Sequence, residues 1–192
     1  NYVAYPNTDW MKAMFENNVY HKHNLSASGS SGGTKYLMSF SYVNNPGVVA
    51  RTGTERFQLR TNVSSQVTKW LEIGTKLWGY EGTRELNDFG GASDYMSRAT
   101  PGIYPYYDGK YGWVENPEQG SSSRNNLYFI NRFGGEERSH YVNAAVFANV
   151  KLPYRIRYNV SFNYARSSSE HRFYGKTCNA FSFSKNDWAY RY

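Results

Sequence analysis

Arg56-Phe57-Gln58-Leu59-Arg60-Thr61-Asn62-Val63-Ser64 is the stretch that decides how this chain is read. One parity is Phe57, Leu59, Thr61 and Val63, and the other is Arg56, Gln58, Arg60, Asn62 and Ser64. Side chains alternate between the two faces of a strand, so one face seeks an apolar medium and the other seeks water. Tyr154 to Ala165 repeats the pattern: Tyr154, Ile156, Tyr158, Val160, Phe162 and Tyr164 alternate with Arg155, Arg157, Asn159, Ser161 and Asn163. Each stretch runs for about 10 residues, the length with which a tilted strand crosses a bilayer. The expected fold is all-β: an antiparallel up-and-down meander forming part of a large transmembrane β-barrel, with outer-membrane lipid against the apolar parity.

Composition separates this reading from its competitors. Aromatic residues make up 18% of the chain, with 19 Tyr, yet mean hydropathy is −0.75, and no run approaches the roughly 18 apolar residues of a spanning helix. Tyrosine at this density suits girdles at the two membrane interfaces, where a ring has one apolar end and one wet end. It also suits the alternative, a secreted β-sandwich carbohydrate-binding module with Tyr-rich loops. The formal net charge of +7 falls largely on the polar parity of strands rather than in a basic run, which argues for a cation-lined, water-facing surface and against nucleic acid as a partner. A lone cysteine, Cys178, excludes an intrachain disulfide framework and reads as an incidental thiol. From Asn1 onward there is neither a basic nor an apolar leader segment, as expected of a mature form or an internal piece.

Turn signals and alternation together predict six strands, at about His21 to Ser28, Thr34 to Val43, Glu55 to Ser64, Trp70 to Glu81, His140 to Lys151 and Tyr154 to Arg166. The first, third and fifth connections are short, at Gly29 to Gly33, Ser65 to Lys69 and Leu152-Pro153. The second, Asn44 to Thr54, is longer, and the fourth is very long, about 82–139. In a meander, alternate connections lie on opposite sides. All short turns therefore fall at one end and the long loops at the other, as in outer-membrane barrels with short periplasmic turns and long extracellular loops. Six strands fall short of the eight of the smallest barrels, so the expectation is a piece of a larger wall.

The first strands carry a recognisable series of motifs. Asn7-Thr8-Asp9-Trp10 precedes a short amphipathic stretch, Met11 to Phe15, followed by His23-Asn24-Leu25-Ser26-Ala27-Ser28-Gly29 and by Ser41-Tyr42-Val43-Asn44-Asn45-Pro46-Gly47. Then come Glu55-Arg56-Phe57-Gln58-Leu59-Arg60-Thr61-Asn62 and Val67-Thr68-Lys69-Trp70-Leu71-Glu72-Ile73-Gly74. This ordered set resembles the barrel of SusC/RagA-type TonB-dependent transporters of Bacteroidetes, closely over about Asn7 to Leu77 and only in general plan beyond. The resemblance implies a barrel of about 22 strands in the cell outer membrane, with a plug domain and a TonB contact that these residues do not include. It implies import of oligosaccharides or oligopeptides under a SusD-like surface lipoprotein lid. Residues 1–192 would then be a barrel segment whose long fourth connection is extracellular.

No catalytic arrangement emerges, and the chain is not read as an enzyme or as holding a cofactor or metal. His21 and His23 share a strand face but lack a third ligand at a telling spacing. The glycosylation triplets at Asn24, Asn62 and Asn159 fall inside strands and are read as chance. Loops on a rigid scaffold carry recognition. In the fourth connection Ile103 to Trp113 reads as a small hairpin closed by Asp108-Gly109. Its Tyr104, Tyr106, Tyr107, Tyr111 and Trp113 are candidate substrate or lid contacts; the plainer reading is that these rings pack the loop over the barrel mouth. Arg56, Arg60, Asn62, Arg155 and Arg157 are candidate lumen-facing residues that set the electrostatics of the path.

Overall fold

The computed structural model describes residues 6–87, 99, 101–113, 125–182 and 187–191, with the backbone alone for 113, 179–182 and 187–191. Its body is one six-stranded antiparallel sheet in the order β1 (His21–Ser31), β2 (Thr34–Pro46), β3 (Gly53–Gln66), β4 (Leu71–Leu86), β6 (Phe133–Lys151), β7 (Arg157–Gly175). Between β4 and β6 lie β5 (Tyr111–Trp113) and helix α2 (Asn126–Arg132); helix α1 (Trp10–Met14) precedes β1. After β7 come β8 (Asn179–Ser182) and β9 (Asp187–Arg191), which with β5 form a separate three-stranded sheet. All six expected strands are present, in the expected meander.

Register extends the period of two from single strands to a whole wall. In one row Leu25 lies beside Phe40 and Phe40 beside Leu59. In another Thr75 lies beside Val146 and Val146 beside Phe162. One face is therefore apolar across all six strands, and it is uncovered: Leu25 is 73% exposed and Phe162 70%. A β-sandwich would bury that face beneath a second sheet, so the sandwich expectation is not met. On β6 the apolar run from Val142 to Val150 covers about 26 Å of strand, or about 20 Å of membrane normal at a tilt near 40°. Along single strands the apolar parity ends in aromatic rings, Tyr36 and Tyr42 on β2 and Tyr158 and Tyr164 on β7. Among the described residues no helix is long and apolar enough to cross a membrane.

The two ends of the sheet differ as the turn lengths anticipate. At one end Gly32 and Gly33, both at positive φ, make the two-residue loop between β1 and β2. A turn capped by the Thr68 hydroxyl joins β3 to β4, and residues 152–156 join β6 to β7. That last turn corrects one expectation. Tyr154 and Arg155 have φ of 61° and 65° and lie in a 3-10 turn, not on the strand, which starts at Arg157. The apolar–cationic alternation runs on into a reversal that Leu152-Pro153 had only begun. At the opposite end the strands outrun their expected limits: β4 continues to Leu86, and β6 begins at Phe133. Ion pairs join these extensions, including Glu136 of β6 to Arg172 of β7 at 3.8 Å and Glu137 of β6 to Arg84 of β4 at 3.9 Å.

The buried side chains lie at this long-loop end. Met14 of α1, Val49 of the β2–β3 loop and Ile130 of α2 form one cluster, with Phe15 bridged to Val49. Asp9 caps α1 by accepting from the Lys12 amide at 3.1 Å.

Candidate functional site

The polar face of the wall carries most of the strands' positive charge. Lys22, Lys35, Arg56 and Arg60 come from β1 to β3, Lys76 and Arg84 from β4, and Lys151 and Arg157 from the far ends of β6 and β7. Its carboxylates are Glu72 and Glu137. Glu72 accepts from Asn149 at 3.0 Å, and Glu137 lies 3.9 Å from both Arg84 and His171. The other strand carboxylates, Glu55, Glu81, Glu85, Glu136 and Glu170, are on the opposite face, beyond the apolar band at the long-loop end.

Aromatic rings also occur on this wet face. Tyr80 of β4 pairs directly with Tyr141 of β6, and their rings stack at 5.7 Å and 15°. Trp78, two residues along β4, packs 4.8 Å from Tyr141 and 6.0 Å from Tyr80. From β3, Arg56 lays its guanidinium over Tyr80, 3.8 Å from the ring centroid. Further along, Lys76 stands 5.3 Å from the Phe147 ring. Two donors in this cluster, Arg56 Nε and Trp78 Nε1, are enclosed and meet no acceptor among the described residues. Adjacent pairings place the cluster level with Tyr42 and Tyr164, at the end of the wall with the long connections.

Of the residues singled out from sequence, Arg56, Arg60, Asn62 and Arg157 share this polar face, while Arg155 is in the turn and apart from it. Alternation along β4, with Leu71, Ile73, Thr75 and Leu77 against Glu72, Lys76 and Trp78, places Trp78 on the polar parity. What it could not supply was Tyr80 and Tyr141 as partners, because Tyr141 comes from a strand about 60 residues away and is set beside Tyr80 only by register.

The expected hairpin in the fourth connection is present. Tyr107 and Lys110 exchange both backbone hydrogen bonds, at 2.8 and 2.9 Å, across Asp108 and Gly109, whose φ values of 45° and 75° fit a tight hairpin turn. Asn125, missed in the sequence, anchors it. Its Oδ1 accepts from the Tyr128 amide as the α2 cap, while its Nδ2 lies within 3.1 Å of the carbonyls of Tyr104, Pro105 and Gly112. The available signal was an Asn ahead of a short helical run. Tyr104 packs on Tyr107 at 5.2 Å, and Tyr111 on Tyr106 and Tyr128 at 4.9 and 5.8 Å. Burial, with Cys178 and Tyr106 nearby, pushes the Tyr111 hydroxyl up to about 12. Tyr106 and Tyr107 remain exposed at the tip, and the Trp113 side chain lies outside the described residues.

Comparison with known proteins follows the same lines. No family model matches. TonB-dependent receptor P3 of Formosa agariphila is 28% identical over 142 residues, covering 73% of this chain and 14% of the receptor. TonB-dependent receptor P26 of the same organism is 26% identical, covering 69% and 14%. The RagAB peptide importer in its closed-closed state superposes with a TM-score of 0.63 at 24% identity, over 87% of this chain and 20% of that one. A second RagAB peptide transporter structure gives 0.58 at 23% identity over 85% of this chain. This chain is similar in sequence to TonB-dependent receptors, and its fold is that of a barrel segment of the RagAB structures. The segment spans about a seventh of the length of the curated relatives it matches. It is a stretch of outer-membrane β-barrel wall with one apolar face and one polar, cationic face.

Proposed function

We propose that the segment forms part of the import path of a SusC-like, TonB-dependent nutrient importer that takes up oligosaccharides or oligopeptides under a SusD-like lipoprotein lid. TonB would be engaged through a part of the protein outside this chain. The observation that carries the reading is the division of the wall: a lipid-suited face backed by a cationic, ring-bearing face. The relatives are named as receptors and importers rather than enzymes, in keeping with a transport role.

In this reading the connection between β4 and β6 is extracellular, because it lies at the long-loop end. Tyr106 and Tyr107 would meet substrate or lid, with Tyr104, Tyr111 and Trp113 behind them. The test is a cysteine at Gly109 in a Cys178→Ser background of the full-length protein. An impermeant thiol reagent should label it on whole cells once any lid is removed, and labelling only after the outer membrane is broken would reverse the topology. Combined Tyr106→Ala and Tyr107→Ala should lower uptake while leaving barrel assembly intact.

A further inference from the structure

We infer that the substrate passing this wall is an anionic oligosaccharide, with carboxylate or sulfate groups on its rings, first held at the outer rim by Arg56, Trp78, Tyr80 and Tyr141. The inference rests on the importer reading and goes beyond it by naming the substrate class. Charge is its first support. The two carboxylates of the polar face already have partners, in Asn149 and in Arg84 with His171, and Arg56 and Arg60 form no ion pair among the described residues. A wall in this state attracts anions and repels cations before any contact is made. Neutral cargo would gain nothing from it.

The second support is the form of the ligand-facing surface. An extended peptide held by a sheet is recognised chiefly by main-chain pairing along a free strand edge. Here β3, β4 and β6 are interior strands whose backbone groups are committed to neighbours on both sides, so only side chains are offered. The side chains present are two stacked tyrosine rings, an indole beside them and a guanidinium over one end. Flat rings receive the C–H face of a sugar. The planar guanidinium pairs with a ring-borne carboxylate or sulfate. Position is the third support: the cluster is level with the outer aromatic girdle, where a ligand arriving from outside meets it first.

The test uses the full-length transporter in detergent and four probes of equal length: an oligouronate, a sulfated oligosaccharide, its unsulfated neutral counterpart and an acidic peptide. At least one charged sugar should bind roughly tenfold more tightly than the neutral one, with the advantage shrinking as salt rises. Which charged sugar binds identifies the anion. Arg56→Gln should weaken that binding by roughly tenfold, with Arg56→Lys and Trp78→Phe in between. Equal or tighter binding of the neutral sugar or the peptide would overturn the inference and leave the importer reading standing. So would an unchanged affinity in Arg56→Gln. If none of the four is bound by the protein or imported by cells carrying it, the importer reading falls as well. Heat-modifiable mobility monitors folding; if Arg56→Gln alone fails to assemble, the lysine and phenylalanine variants carry the test, and normal affinity in both would overturn it.

Discussion

The wall and the cap at its long-loop end are ordered by different means. In the wall, six strands hold one another through continuous ladders while Leu59, Val160 and Phe162 remain exposed; these side chains are satisfied by the hydrocarbon outside rather than by one another. In the cap, Met14, Val49 and Ile130 are almost wholly enclosed, and Asn125 spends its amide on a helix end and three carbonyls. An apolar residue in the wall is thus judged by which face it occupies, and one in the cap by the neighbours it fills.

The largest expected effect tests the wall. Leu59→Arg sets a charge among the apolar rows and should cost about 2–4 kcal/mol near the midplane, seen as loss of heat-modifiable mobility in the full-length barrel. Asn62→Arg, three residues away on the other face, should assemble normally. Equal tolerance at both positions would abolish the distinction between the faces. The next effect falls on the cap. Ile130→Ala should remove about 2–3 kcal/mol of local packing and speed proteolysis within residues 99–132, while the barrel remains heat-modifiable. Loss of assembly here would show that the cap is part of the wall's own folding unit.

The smallest effect reads the cap by pH. Burial pushes the Cys178 thiol above its ordinary value, against the opposing influence of Arg132, Lys176 and Arg51. Its alkylation at neutral pH should be slower than that of an exposed cysteine, with the midpoint of its rate–pH profile displaced upward. Ile130→Ala should move that midpoint back toward the ordinary range if the cap is what shields the thiol.

The strands were legible because each carries its own period of two, and the shared direction of short and long connections was legible from turn residues. Their outer ends were not. Beyond Val142 and Tyr164 both faces are wet, so alternation lapses, and β6 runs back to Phe133 only because β7 pairs with it as far as Gly175. Tyr154 and Arg155 mislead in the opposite sense, continuing the alternation into a turn where φ is positive. Asn125 shows in sequence only as an Asn ahead of a short helical run, since three of its four partners come from the hairpin before it.

By itself, then, the sequence determined which side chains meet lipid and which meet water, because that depends on parity along one strand and on nothing else in the chain. The cluster of Arg56, Trp78, Tyr80 and Tyr141 was decided only in tertiary structure. Its members come from three strands, and a slip of one residue in either register would send part of the set to the opposite face.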